Sequence, residues 1–282
     1  MTFETTADPV GKALWYIETH FASELTLDDI ADASDVSRYH LSRAFPEATG
    51  SAVMRYVRAR RLTEAARRLA DGAPDILAVA LDAGYASHEA FTRAFRDLFG
   101  QTPEAIRRQG GLEGIDLIEP LRKDPTMNAK LAKPQIESAP LLLVAGLSRR
   151  YSRETMSGIP SQWQQFARYI GHVPAQVGNS AYGVCTSADE SGNMTYLCGV
   201  EVSAFDNIPD EFATIRIPQH RYAVFTHEGH ISSIRATWEA IFTTGLPELG
   251  AQVADAPEFE KYDERFDPRS GNGIVEIWMP LA

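Results

Sequence analysis

A pattern written twice, fifty residues apart, limits what this chain can fold into more than any other feature. From Asp75 to Arg108 the sequence reads as a short helix, a glycine turn, a second helix and a third short helix. Asp75 caps the first, whose apolar positions Ile76, Val79, Ala80 and Ala83 recur at helical spacing. Gly84 ends it, because glycine accepts the left-handed conformation that a helix C-cap needs. Ser87 caps the next helix. There Phe91, Phe95 and Leu98 share one inward stripe, and His88, Glu89, Thr92, Arg93 and Arg96 take the opposite face. Gly100 closes it, and Thr102-Pro103 opens the third helix with a cap and an N1 proline. Leu25 to Gly50 repeats the design. Thr26 and Ser37 are its caps, Leu41, Phe45 and Ala48 point inward, and Arg38, Tyr39, Ser42 and Arg43 point outward. Aligning Ser37 with Ser87 sets Leu41 on Phe91, Arg43 on Arg93, Phe45 on Phe95 and Gly50 on Gly100. A short helix, a turn and a second helix with arginines on its outer face match a helix-turn-helix. A repeat of this period signals duplicated units.

Around these units the spacing predicts an amphipathic helix over Pro9 to Phe21 and a longer one over Ser51 to Leu69. The second carries six arginines, some for phosphates and some for neighbouring carboxylates, and would fix the separation of the two units. Pro46 falls inside the first outer-face helix and should kink or shorten it.

The segment from Val10 to Gln109 resembles the two-motif DNA-binding domain of AraC/XylS transcription regulators. The likeness rests on Leu27 to Ala31, Ser37 to Phe45, Tyr56 to Leu62, Asp82 to Tyr85, Phe91 to Phe95, Gly100 to Pro103 and Ile106-Arg107. In most such proteins the reader domain comes last; here it comes first. The resemblance implies double-stranded DNA as a partner, with Arg43 and Arg93 at base edges and Arg38, Tyr39, Ser42, His88, Glu89, Thr92 and Arg96 assisting. Two reading helices on one rigid link should enter successive major grooves, about 34 Å apart.

Composition sets the outer bounds. With 282 residues, about two domains are expected. The net charge of −11 argues against indiscriminate nucleic-acid binding. It is unevenly spread: 13 cationic against 16 acidic side chains up to Leu112, and 14 against 22 beyond it. The reader half is therefore nearly neutral, and local fields govern phosphate contact. No apolar run approaches the roughly 20 residues of a membrane span, and MTFETTADPV lacks the basic and apolar regions of a secretory signal. Cys185 and Cys198 read as reduced thiols, so a cytoplasmic location is expected.

Gln109 to Lys133 reads as a linker, giving a reader domain over 1–109, a link over 110–132 and a second domain over 133–282. In the last, Leu141 to Ser148 is a buried strand and Ile159 to Ile170 an aromatic-rich helix. Ala181 to Ser187 and Met194 to Ser203 pair around a turn at Glu190 to Asn193. Ala213 to Ile217 and Tyr222 to Glu228 read as another pair, followed by a helix over Ile231 to Thr243 and a closing strand over Gly273 to Met279. The expected fold class is multidomain α and α+β: an all-α double helix-turn-helix domain, then two strand-helix-strand-strand repeats forming an antiparallel sheet backed by helices.

This second half resembles the GyrI-like effector-binding domain, through Tyr196 to Val202, Tyr222 to Gly229, Pro257 to Tyr262 and Glu276 to Pro280. The resemblance implies a cleft lined with aromatics in which a buried carboxylate recognises apolar, cationic ligands. Alternation puts Glu276 and Trp278 on one side of the closing strand. A glutamate flanked by apolar residues is either an edge residue in solvent or a cleft anchor beside an aromatic wall, suited to a cation. Glu201 is the second candidate anchor. Trp163, Tyr182, Tyr196, Phe225 and Trp238 are candidate walls, and each packs a core as readily. His227-Glu228-Gly229-His230 lacks the spacing of a metalloprotease motif. No cofactor, metal or membrane partner is expected.

A ligand-responsive transcription regulator that is not an enzyme is the leading reading. The alternative is a hydrolase acting on small electrophilic compounds, with Glu276 or Glu201 and Tyr182 or Tyr196 activating water. A third reading stays open, in which the second half serves to contact RNA polymerase or another chain.

Overall fold

The computed structural model describes residues 8–121, 131–152, 155–186 and 193–282. The chain divides into two units, Met1–Lys123 and Asp124–Ala282. Among the described residues, seven helices build the first: α1 (Pro9–His20), α2 (Leu27–Ala33), α3 (Arg38–Thr49), α4 (Val53–Ala70), α5 (Ile76–Asp82), α6 (His88–Phe99) and α7 (Pro103–Gln109). The caps are those the sequence implies. Thr26 and Asp29 form a reciprocal capping box, and Ser37, Ser87 and Thr102 each accept from the N–H three residues on. Gly50 and Gly100 close α3 and α6 at φ 74° and 70°, where a side chain would be strained.

Three details differ from expectation. Pro46 does not shorten α3, which runs 12 residues like α6. Its missing N–H falls within the last turns, and Gly50 still donates to the Pro46 carbonyl. Ala48 is exposed, since the inward stripe of α3 runs out where Gly50 turns the chain away. In α6 the third buried ring is Phe99, 4.8 Å from Phe95, and Leu98 is only partly covered.

The long α4 serves two cores. Val53, Tyr56 and Val57 pack with α1 to α3, while Leu62, Ala65, Ala66 and Leu69 pack with α5 to α7. Arg60 lies between them, 1% exposed, with its Nε 2.8 Å from the Glu18 carboxylate. The same carboxylate accepts from the Tyr56 hydroxyl at 2.6 Å. The front of the expected linker is no free tether. Leu112, Ile115 and Leu117 join the second core, and Ile118 and Leu121 the first. Arg60 donates to the Ile118 carbonyl, and the Leu121 N–H to the Tyr56 hydroxyl. This strap therefore runs back along α4. Residues 122–130 of the expected linker lie outside the described residues.

The second unit is one eight-stranded antiparallel sheet with helices on one face. Its strands are β1 (Gln135–Ala139), β2 (Leu142–Tyr151), β3 (Gln176–Thr186), β4 (Met194–Val202), β5 (Ala213–Ile217), β6 (His220–His230), β7 (Glu258–Asp267) and β8 (Asn272–Pro280), in the order β1-β6-β8-β7-β3-β4-β2-β5. Helix α8 (Ile159–Ala167) belongs to the first repeat. The second has α9 (Ile234–Ala240), a π-turn at Ile241–Gly245 and α10 (Leu246–Leu249) in place of the single helix expected. Strands β1 and β7 are additional to those the pattern predicts. The turn expected at Glu190 to Asn193 lies, up to Gly192, outside the described residues.

One expected pairing is wrong. β5 and β6 do not pair: β5 borders β2 at one edge, and β6 lies between β1 and β8 near the other. The two-residue link Pro218-Gln219 reads as a hairpin turn but is a crossing. Pro140-Leu141, between β1 and β2, is its counterpart. Ala139 pairs with His220, and Leu142 with Ile217, so a shift of 78 residues exchanges the two pairings. Each link joins strands six places apart, about 29 Å in a flat sheet at 4.8 Å per strand. Three residue steps span about 10 Å at most. The sheet must therefore curl until diagonal corners meet, giving a half-barrel. Its inner face holds one cluster that includes Ala139, Ile217, Tyr182, Phe259 and Trp278; the helices cover the outer face.

At the centre β3 pairs with β7. A shift of 77 residues carries Ala181–Tyr262 onto Glu258–Cys185 and carries Gly183–Glu260 onto itself. An approximate twofold axis thus passes through the Gly183–Glu260 pair.

Glu18→Ala removes the two-point carboxylate partner of the buried Arg60 charge and leaves only Glu64, at 3.7 Å. It should destabilise the first unit by about 3–5 kcal/mol, and joint replacement of Glu18 by Leu and Arg60 by Met should recover most of that. Urea unfolding followed by far-UV circular dichroism reads both. Equal losses in the single and double variants would assign the effect to packing alone.

Candidate functional site: two reading helices and a buried carboxylate

On the reader unit the outer faces of α3 and α6 carry the expected residues. Arg38, Tyr39, Ser42, Arg43, Glu89, Arg93 and Arg96 are exposed, Tyr39 to 70%. His88 and Thr92 are partly covered. Arg38 lies 3.7 Å from Asp28, and His88 Nε2 lies 2.8 Å from Glu104 on α7. Glu89 is held below the usual carboxylate range by its own N–H and by Ser87 at the start of α6. The six arginines of α4 now separate. Arg60 and Arg61 turn inward, Arg61 donating to the Phe21 and Ser23 carbonyls, and Arg67 pairs with Glu64 and Glu119. Arg55, Arg58 and Arg68 are exposed.

In the second unit the eight ligand-site candidates divide between the two faces of the sheet. Glu276, Trp278, Tyr182 and Glu201 face the inside of the curl. Trp278 stacks on Phe259, 5.3 Å between centroids, as ordinary core, and its indole donates to Glu276. Glu276 is also bonded to Arg265, with Lys261 at 3.9 Å. The Tyr182 hydroxyl is 3.4 Å from Glu201. An anchor already holding a cation is a poor receptor for another.

Trp163, Tyr196, Phe225 and Trp238 belong to the helix-covered face. Phe225 is fully buried against Gly245 of the π-turn, so it is core. The other three converge on Glu260, a residue the sequence reading did not single out. Glu260 is 6% exposed. Its Oε1 accepts from Trp238 Nε1 at 2.7 Å; its Oε2 accepts from the hydroxyls of Tyr196 at 2.7 Å and Tyr262 at 2.8 Å. Trp163 donates in turn to the Tyr196 hydroxyl at 3.1 Å and packs edge-on against Tyr262. No lysine, arginine or histidine pairs with Glu260 among the described residues. Burial pushes its pKa above that of an ordinary glutamate, against the pull of the three donors. Burial, then the Glu260 charge, raises Tyr196 and Tyr262, so both stay neutral donors. The signal was present in Glu258-Phe259-Glu260-Lys261-Tyr262, where alternation puts Glu258, Glu260 and Tyr262 on one side.

Both indoles are positioned by a buried polar neighbour. Gln162, just before Trp163, donates to the Leu147 and Tyr196 carbonyls and accepts from Tyr151, tying α8 to β2 and β4. Thr237, just before Trp238, bonds His227 Nδ1 at 2.8 Å and ties α9 to β6. His227 Nε2 lies 3.3 Å from the His230 carbonyl, so both ring nitrogens have structural contacts; burial lowers its pKa. Gly183 makes the room. A Cβ there would stand 2.0 Å from the Tyr196 hydroxyl and 2.7 Å from Glu260 Oε2.

Two helix-turn-helix units, followed by a half-barrel with an aromatic-walled buried anion, define a DNA-binding regulator that carries a small-molecule-binding domain. A model of the GyrI-like small molecule binding domain matches residues 132–282, and a helix-turn-helix domain model matches residues 30–109. The chain belongs to the GyrI-like small molecule binding family, joined to an AraC-type helix-turn-helix region. It is 27% identical to transcriptional regulator Rob of Salmonella typhimurium over 273 residues, 94% of this chain and 93% of that one. It is 26% identical to the right origin-binding protein of Escherichia coli K12 over 277 residues, covering 95% and 94%. The multiple antibiotic resistance protein MarA of Salmonella typhimurium is 33% identical over 103 residues, covering 36% of this chain and 81% of MarA. Likeness to whole regulators along nearly the full length favours the regulator over the hydrolase. No described helix is long and apolar enough to cross a membrane.

Gly183→Ala should force the Tyr196 hydroxyl off Glu260 and cost about 1–3 kcal/mol of stability in the second unit. Differential scanning calorimetry tests this; an unchanged transition would mean the cradle has slack.

Proposed function

We propose that the second unit senses an apolar cation, with Glu260 as its anchor and Trp163, Trp238, Tyr196 and Tyr262 as walls. One observation carries this: a buried carboxylate accepts three neutral donors and has no cationic partner among the described residues. Neutral donors offset part of the desolvation of a charge; a cation against aromatic faces offsets more. Glu276, with Arg265 already on it, takes second place. The ligand is held without turnover, the protein acts in the cytoplasm, and ligand occupancy alters transcription through contacts with DNA and RNA polymerase.

On the DNA side, Arg43 and Arg93 contact base edges, with Arg38, Tyr39, Ser42, His88, Glu89, Thr92 and Arg96 assisting. Helix α4, 18 residues and about 27 Å long, suits two reading helices in successive major grooves.

Arg93→Ala should weaken the cognate site by about 1–3 kcal/mol and a scrambled site far less, in gel-shift titrations at fixed salt. Equal losses on both would reduce Arg93 to a phosphate contact.

Glu260→Gln keeps the shape and removes the charge. It should lower affinity for a lipophilic cation well beyond its effect on a neutral isostere, read by isothermal titration calorimetry. Because burial raises the pKa of Glu260, protonation competes with the cation early. Wild-type affinity should fall as pH drops, starting above the roughly 4.3 of a free glutamate, and the Gln variant should be flat. A wild-type profile as flat as the variant's would refute the anchor.

A further inference from the structure

Glu260 has a second carboxylate beside it. Alternation along β7 puts Glu258 on the same helix-covered face, about 6.8 Å away along the strand. Glu258 is partly buried and has no hydrogen-bond or ion-pair partner among the described residues. Burial alone raises its pKa. It stands across from Cys185 on β3, and both glutamates act on that thiol, which burial and then the two charges push up. The two carboxylates therefore act on one region of the outer face. Lys261, next to Glu260 in the chain, serves neither, since it points to the inner face toward Glu276.

We propose that this site takes a flat ligand with two cationic centres, the inner one on Glu260 between the indoles and the outer one on Glu258. The inference rests on the reading of Glu260 as the effector anchor and adds the ligand's charge count and spacing. A single cation on Glu260 would leave Glu258 withdrawn from water with nothing to offset that cost. A second positive centre, one strand dipeptide further out, removes the mismatch. A flat aromatic frame between the charges suits the indoles of Trp163 and Trp238, which belong to the Glu260 hydrogen-bond cluster.

The test uses the full chain and two probes on one biaryl frame. N,N′-dimethyl-4,4′-bipyridinium carries two charges, and N-methyl-4-phenylpyridinium carries one. Affinities are measured by calorimetry at about pH 8, where free carboxylates are ionised. Wild type should prefer the dication by about tenfold, the scale of one charge-assisted contact away from bulk water. Glu258→Gln should bring the two probes to near parity while leaving the monocation within about twofold of wild type. Glu258→Asp keeps the charge and should keep the preference. Glu264→Gln, at an exposed site, should also keep it, which separates local contact from overall charge. No preference in wild type, or a preference that survives Glu258→Gln, overturns the proposal. If Glu260→Gln weakens both probes while Glu258→Gln affects neither, Glu260 stands as anchor and the second point falls. If Glu260→Gln weakens neither, the anchor itself is wrong and this inference falls with it.

Discussion

The second unit depends on a negative charge kept out of water at the meeting point of its two repeats. Glu260 comes from the second repeat, as do Tyr262 and Trp238, while Tyr196 comes from the first. The carboxylate thus binds the halves together across the β3–β7 seam, the central one of three strand pairs that join them, with β1–β6 and β2–β5. A charge buried this way is expensive, and the surroundings are arranged to meet that cost. The helices are pinned by Gln162 and Thr237, so that the adjacent indoles reach the site at fixed angles. The same arrangement that stabilises the seam is the one proposed as the recognition site, because the donors are neutral and no cation pairs with the carboxylate among the described residues.

The reader unit solves a related problem with a full ion pair. Two small cores share α4, and Arg60 sits where they meet, with Glu18 from α1 and a carbonyl of the returning strap as partners. Here charge meets charge in the interior, and nothing is left over to recruit a ligand. The contrast follows from task. On the proposed function, one junction holds two reading helices at a fixed separation, and the other keeps a charge for the ligand.

The reader was legible because its signals are local. Caps at Thr26, Ser37, Ser87 and Thr102 act within three residues, and the glycines at 50 and 100 act at one. The half-barrel was legible only in part. Strand alternation found most of its elements, but a two-residue link containing Pro218 carries the same signature whether it closes a hairpin or crosses to a distant edge. Glu276 drew attention through its apolar neighbours, yet alternation says which residues share a face and not which face holds the site. Glu260 was missed because its meaning lies in partners 22 and 64 residues away in the chain. Flanked by Phe259 and Lys261, in a run of charges, it reads as an ordinary strand residue.

The position of Glu260 on the approximate twofold axis constrains how such a protein can diversify. Whatever one repeat places at that position faces its own counterpart from the other. Two glutamates would set like charges against each other in a dry interior, and one would have to stay protonated. Two glycines would leave a void with nothing to hold. A single glutamate facing a glycine is the smallest departure from symmetry that lets one net charge occupy the centre. A duplicated sheet can therefore place a single charge at its centre through one substitution at its axis.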